Sequence, residues 1–194
     1  YMALFLHFLN PMNKRDTMSK FFADYAKHVA ERAELGIPPL ALSEDQATEI
    51  VALLQDIPAG KGEALLELLT NRINPGVDPA AHVKANFLVG ITKGAISCDV
   101  ITKADAVKLL GTMVGGFNLQ GLIDAVASED SELAPLAADA LKNMVLAVNV
   151  FDDVNALAEG GNATAKEIVA SWANAEWFSN AEEVPAEIKT VIYK

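Results

Sequence analysis

The chain has 194 residues, of which 52% are hydrophobic and 21% charged, and its formal net charge is −11. This length supports one buried core, and the hydrophobic content excludes general disorder. The acidic balance argues against the whole chain as a nucleic-acid binder, since affinity for phosphate backbones comes from Lys and Arg. It also disfavours binding to an anionic membrane surface.

Cys98 is the only cysteine. No disulfide can form within the chain, so the sequence lacks the framework of a small secreted protein. A reducing cytoplasmic location is therefore expected, without membrane attachment. A cubane iron–sulfur cluster takes about three or four thiolates, so this chain cannot hold one by itself.

Residues 1–17 are interpreted as an N-terminal extension or an expression remnant. They begin with an apolar run that is too short to span a bilayer. Lys14 and Arg15 follow this run, which is the wrong order for a signal peptide. The domain proper is expected to begin near Met18.

A succession of short amphipathic helices is predicted from residue 19 onward. The first covers 19–35, and its apolar face is expected to contain Phe22, Tyr25, Ala26, Val29 and Ala33. A longer helix is predicted over 131–149.

Three later helices have clear start signals. Ser43 and Gln46 have capping-box spacing, Asp78 precedes Pro79 at a first helical position, and Asn162 is a third N-cap. These signals predict where the helices begin.

About nine short helices with short connections predict an all-α fold. Helix pairs recur at roughly the 40-residue spacing of HEAT repeats, which favours a HEAT-like helical array (an α-solenoid) over a bundle. Ile188, Thr190 and Ile192 alternate with other residues and predict a short C-terminal strand. The expected domains are therefore a helical domain over 18–180, then a linker and the first strand of a following domain over 181–194.

No residue pattern specifies a catalytic, cofactor or metal site. The 3 histidines lack Cys, Asp or Glu at metal-ligand spacing. Cys98 has no nearby His to activate it, and Asp152 and Asp153 have no partner base. The glycine-rich stretch 111–117 lacks the lysine of a phosphate loop and suits a helix–helix corner.

Four residues are candidates for interaction. Asn71 and Arg72 lie in the turn after an apolar helix, where a capping or interhelical hydrogen-bond role is the simpler interpretation. Trp172 and Trp177 could form an aromatic recognition patch, although anchoring the last helices to the core or to the next domain is simpler.

Several separated stretches carry a family resemblance. They are YAKHVAERAELGIPP at 25–39, LLTNRINPGVDPAAHVKANFLVGITKG at 68–94, LLGTMVGGFN at 109–118, LIDA at 122–125 and SWANAEWF at 171–178. In this order they resemble the N-terminal domain of bacterial aconitase B (aconitate hydratase B, also 2-methylisocitrate dehydratase). Two positions depart from the family pattern: His82 and Phe117 each stand where Tyr is expected.

The resemblance implies that the intact protein is a lyase of the tricarboxylic acid cycle. It would interconvert citrate and isocitrate through cis-aconitate with a [4Fe-4S] cluster. The cluster ligands and substrate-binding residues would lie in later domains, because none of the family's catalytic motifs occurs in this chain.

For this segment the resemblance implies a HEAT-like domain that packs against the catalytic domains of the same polypeptide. It also implies formation of a homodimer through this domain and a contribution to the route to the active site. The apo form of such enzymes is described as binding mRNA, to which a local basic surface here could contribute.

Two alternatives stay open. The chain could be a free-standing helical-repeat scaffold without enzymatic activity. It could also be an independent enzyme with a site around Arg72, Asp152 and Asp153. Sequence beyond residue 194 that continues into a mixed α/β domain with clustered cysteines would favour the aconitase-like interpretation over the scaffold.

Overall fold

The computed structural model describes residues 14–128, 130–144 and 146–175. All regular structure in these residues is helical, so the all-α prediction is confirmed. The helices, in chain order, are α1 Lys14–Glu34, α2 Glu44–Leu54, α3 Gly62–Asn71, α4 Pro79–Thr92, α5 Lys103–Gly111, α6 Leu119–Ala127, α7 Leu133–Lys142, a 3₁₀ turn Ala147–Asn149, α8 Phe151–Glu159 and α9 Ala163–Ala173. The strand predicted near the C-terminal end lies outside the described residues.

The predicted helix starts are confirmed by their hydrogen bonds. Ser43 and the side chain of Gln46 form the reciprocal capping box of α2. The Asp78 carboxylate accepts a hydrogen bond from the N–H of Ala81 at the start of α4, and the Asn162 side chain caps α9 in the same manner. These local signals satisfy backbone groups that no helical turn can pair.

Two predicted helix boundaries are wrong. α1 begins at Lys14 instead of residue 19, so the helix includes four residues of the predicted extension 1–17. The single helix predicted over 131–149 ends at Lys142, because Asn143 caps it and donates a hydrogen bond to the Asp139 carbonyl. The following valine-rich residues favour the helix less, since β-branched side chains lose rotamer freedom in it.

Helices that are one or two places apart along the chain pack against each other and form an array. α2 packs against α3 and α4, α4 against α5, α5 against α6 and α7, and α9 against α7 and α8. Fully buried side chains fill the spaces between them, including Ile50, Leu65, Leu88, Leu122 and Ile168. Burying each one contributes about 1.5–3 kcal/mol.

α1 lies at one end of this array and packs through aromatic side chains. Phe21 is buried, and its ring contacts the rings of Phe22 at 5.4 Å and Tyr25 at 6.2 Å. The predicted inward positions Ala26 and Ala33 are exposed, because α1 has neighbours on one side only. The apolar face of α1 is therefore narrower than its sequence predicts.

The connections 72–78 and 112–118 touch each other directly. The N–H of Val114 donates a hydrogen bond to the Pro75 carbonyl at 2.8 Å. A Cβ at Gly115 would lie 1.8 Å from the Gly76 carbonyl oxygen, so only glycine permits this approach. Across the described helices, none combines the length and the apolar character needed to cross a bilayer.

Candidate functional site

The guanidinium group of Arg72 joins three parts of the chain. Its Nε donates a hydrogen bond to the Tyr25 hydroxyl at 3.1 Å, and its Nη2 donates one to the Pro39 carbonyl at 2.6 Å. The Arg72 carbonyl accepts a hydrogen bond from the N–H of Leu42 at 2.8 Å. Arg72 therefore fastens the end of α3 to α1 and to the connection that follows α1, and we call this arrangement the Arg72 clasp.

Two more side chains of α1 hold the same connection. Arg32 donates a hydrogen bond from Nε to the Pro38 carbonyl at 2.9 Å. The N–H of Leu40 donates to Nε2 of His28 at 3.0 Å, which fixes this nitrogen as an acceptor. Asn71 is exposed at the last position of α3, beside the clasp. The structure thus gives Arg72 the interhelical hydrogen bonds that the sequence favoured.

Trp172 lies inside the array. Only 8% of its surface is exposed, and its indole Nε1 donates a hydrogen bond to the Leu141 carbonyl at 3.0 Å. Its ring also lies 6.2 Å from that of Phe151. Trp172 therefore ties α9 to the end of α7. Trp177 lies outside the described residues.

Lys84 is a buried cation that the sequence analysis did not single out. It is 1% exposed, and its Nζ donates a hydrogen bond to the Thr70 carbonyl in the last turn of α3 at 3.3 Å. Burial lowers its pKa below the ordinary value of 10.5. The position next to a helix C-terminus favours a positive charge. The sequence signal that predicts this burial is the helical spacing, because Lys84 lies on the same helical face as Ala80 and Phe87.

Asn118 is a second structural side chain that sequence reasoning missed. It is fully buried, and its Nδ2 donates hydrogen bonds to the Leu110 carbonyl at 2.7 Å and the Met113 carbonyl at 3.0 Å. Its Oδ1 accepts no hydrogen bond from the described residues. Asn118 therefore closes the corner between α5 and α6, where the sequence showed only a glycine-rich turn.

A polar cleft of about 340 Å³ brings together two lysines and two aspartates: Lys93, Lys103, Asp124 and Asp130. The Lys93 ammonium and the Asp124 carboxylate lie 2.7 Å apart. Asp130 instead accepts hydrogen bonds from the first N–H groups around the start of α7. Both carboxylates are thus engaged in structural contacts, and among the described residues that line the cleft no nucleophile is paired with a base.

The remaining candidates for chemistry also have structural surroundings. Cys98 is half-buried against the core, while Asp152 and Asp153 are exposed in the first turn of α8. Across the described residues, no group of 3 or more His, Cys, Asp or Glu side chains has a geometry that could hold a metal ion. These residues do not fit an iron–sulfur cluster.

The two departures from the family pattern contact each other. The His82 ring on α4 lies 4.9 Å from the Phe117 ring in the connection 112–118, and Asn86 lies within hydrogen-bond distance of the imidazole. An aromatic pair at this separation keeps the two elements in contact.

Comparisons with known proteins show what this chain is similar to. Residues 24–178 match the Aconitate B N-terminal domain family. Aconitate hydratase B of Escherichia coli (strain K12) is 47% identical over 171 residues, which are 88% of this chain and 20% of that protein. The protein of the same name from Synechocystis sp. is 45% identical over 170 residues, with the same coverage of 88% and 20%.

Aconitate hydratase B of Helicobacter pylori (strain J99) is 42% identical over 177 residues, 91% of this chain and 20% of that protein. The chain therefore spans about a fifth of the length of these curated relatives. The resemblance seen in the separated sequence stretches is confirmed, and the chain belongs to the Aconitate B N-terminal domain family.

Proposed function

We propose that this chain is the non-catalytic N-terminal domain of a larger aconitate hydratase that isomerises citrate and isocitrate. The observation that carries the proposal is the match to aconitate hydratase B proteins over 20% of their length. The rest of such a polypeptide would supply the catalytic domains, and this chain would act as an interaction and architectural module beside the route to the active site.

The use of polar side chains in the array supports a non-catalytic role. Arg72, Asn118 and Trp172 donate hydrogen bonds to backbone carbonyls and so hold the helices in place. The alternative enzyme site around Arg72 is therefore disfavoured, since its guanidinium is engaged in the clasp and Asp152 and Asp153 face solvent.

A [4Fe-4S] cluster in the complete enzyme would need cysteines from outside this chain. The chain has 1 cysteine, and about three or four thiolates hold such a cluster.

Self-association through this domain is a further part of the proposal. It is supported by α1, where Ala26 and Ala33 are exposed and Val29 is half-exposed along one face. A contribution to mRNA binding would depend on local cations, because the chain carries a net charge of −11.

An activity assay tests the assignment. The 194-residue chain and the full-length polypeptide that contains it are incubated with citrate, with and without iron–sulfur reconstitution, and formation of cis-aconitate and isocitrate is measured. We expect turnover by the reconstituted full-length protein and none by the chain. Turnover by the chain alone would contradict its non-catalytic role. An inactive full-length protein would favour the scaffold alternative.

A further inference from the structure

The large hydrophobic side chains that remain exposed are concentrated in one set of connections. These are the connections that follow α1, α3, α5 and α7, at 35–43, 72–78, 112–118 and 143–150. Seven of the exposed hydrophobics in the described part of the chain lie in them, and an eighth is the next residue after the last connection: Leu35, Ile37, Leu40, Val77, Val114, Phe117, Val148 and Phe151.

Charged residues, in contrast, are sparse in these four connections. The four connections contain only two charged residues, Arg72 and Asp78. Both are already engaged, Arg72 in its clasp and Asp78 as the N-cap of α4. Of the other interhelical connections, 160–162 has no charged residue, whereas 55–61, 93–102 and 128–132 contain Asp56, Lys61, Lys93, Asp99, Glu129, Asp130 and Glu132.

The four connections form one continuous surface. The N–H of Leu42 donates to the Arg72 carbonyl at 2.8 Å, which joins the first connection to the second. The hydrogen bond from Val114 to Pro75 joins the second to the third. Leu146 Cδ1 lies 3.8 Å from the position of a Cβ on Gly116, which brings the fourth against the third. We call this surface the apolar end of the array.

The charged connections are also contiguous. Val100 Cγ1 and Ile57 Cγ2 lie 2.9 Å and 3.5 Å from the position of a Cβ on Gly62, which brings the connections 93–102 and 55–61 together. Lys93 and Asp130 line one cleft, which brings 93–102 against 128–132. A helix of ten residues separates the two ends by about 15 Å. The array thus has an apolar end and a charged end.

An open groove indents the apolar end between its third and fourth connections. It has a volume of about 410 Å³ and is lined mainly by apolar side chains, with Lys108 and Asp139 as its charged members. The large apolar residues are Met113, Val114, Leu136, Met144 and Leu146. Methionine side chains adapt to irregular partners. The groove is therefore suited to a large apolar side chain.

We propose that the apolar end is the surface against which another domain of the same polypeptide packs. That domain would present an uncharged apolar face and place one large apolar side chain in the groove. This inference rests on the proposed function. The match to relatives covers 20% of their length, so 80% of such a polypeptide remains to supply the partner. Permanent interfaces are more apolar than transient ones, and charged residues are depleted at their centres.

Other occupants fit the apolar end less well. A nucleic acid needs many cations, and this surface has few. Arg72 already bonds Tyr25 and Pro39, and Lys108 lines the groove together with the acidic Asp139. A second copy would bring a net charge of −11 against another −11. Self-association through the exposed face of α1 is compatible with the proposal.

Hydrogen–deuterium exchange of the full-length polypeptide, compared with the 194-residue chain, tests the proposal. We expect amides in 72–78 and 112–118 to exchange at least about tenfold more slowly in the full-length protein, because docking shields them and limits local opening. Exchange in the charged connection 93–102 should be the same in both proteins.

Matched lysine substitutions sharpen this test. Val114 is 61% exposed and Ala95, in a charged connection, is also exposed, so both substitutions leave the isolated chain folded. Val114→Lys should abolish the tenfold protection in the full-length protein, since it places a charge in an apolar interface. Ala95→Lys should retain the protection.

Equal exchange in the two proteins would overturn the proposal, as would protection confined to 93–102. Protection that appears in the 194-residue chain as its concentration rises would instead identify a second copy as the occupant. The readout does not depend on citrate turnover. An inactive full-length protein with a protected apolar end would therefore refute the proposed function and leave the docking surface intact.

Discussion

At the scale of single residues, the array depends on a few polar side chains that bond distant backbone. Arg72 reaches a carbonyl 33 residues away, and Trp172 reaches one 31 residues away. Such contacts hold elements that apolar packing alone would allow to slide. Arg72 gives a direct test of such a contact, and Asn118 gives a test of a buried polar contact within one corner.

Replacement of Arg72 should loosen the attachment of α1. Arg72→Ala removes two hydrogen bonds from a charged donor, and we expect it to lower the free energy of unfolding by about 2 kcal/mol in urea denaturation. Arg72→Lys should lose part of this stabilisation, because one ammonium group cannot reproduce the two-pronged hydrogen bonding of a guanidinium group. Arg32→Ala, which removes one bond, is the matched control. Equal losses for Arg72→Ala and Arg32→Ala would contradict the clasp.

Replacement of Asn118 should destabilise the corner between α5 and α6. Asn118→Ala removes both bonds from its buried amide, with an expected loss of about 2–3 kcal/mol in the free energy of unfolding. Asn118→Asp should cost more than the alanine, because a carboxylate would face two carbonyl oxygens without a donor. Thermal and chemical denaturation of the pair provide the measurement. An aspartate variant as stable as the alanine variant would refute this account.

At the scale of helices, ends and corners decide how the elements are joined. α7 stops at Lys142 although the predicted helix continues, because the Asn143 side chain bonds the last turn. The interruption creates the connection 143–150, which forms one side of the apolar groove. A continuous helix would have removed that side.

The ion pair between the end of α4 and α6 gives a pH-dependent test. Burial raises the pKa of Asp124, but hydrogen bonds from Lys93 and Gln120 outweigh it and leave the pKa below its ordinary value of 3.8. The unfolded chain therefore binds this proton more readily. The stabilisation is present above pH 3.8 and is lost as the pH falls further.

Asp124→Asn should therefore lower the free energy of unfolding by at most about 1 kcal/mol at neutral pH, because a half-exposed lysine is screened by solvent. The difference from the parent chain should shrink as the pH falls below 3.8. Urea denaturation at neutral pH and at a pH below 3.8 measures this difference in the free energy of unfolding. Asp99→Asn, on an exposed residue, is the control. A difference that grows in acid would show that the ion pair has the opposite effect.

At the scale of the whole molecule, the connections at one end of the array are rich in charged residues, and those at the other end are apolar. The net charge of −11 describes the total and conceals the apolar end. The sequence contains the signal, because the stretches 112–118 and 143–150 have no charged residue. Only the fold shows that these stretches form one surface together with 35–43 and 72–78.

The sequence by itself determined the helical class, several helix starts and the family. Capping and periodicity act between residues within about four positions, so Ser43, Asp78 and Asn162 are readable without a structure. It also favoured an interhelical hydrogen-bond role for Arg72 over direct interaction with a partner.

Only the tertiary structure decided which residues meet. The bond between Arg72 and Tyr25 joins residues 47 positions apart, and no local pattern encodes such a pair. Burial of Lys84 depends on the end of α3 lying beside α4. The apolar end is likewise a property of packing, because it is assembled from four connections that the chain keeps apart and the helix array brings together.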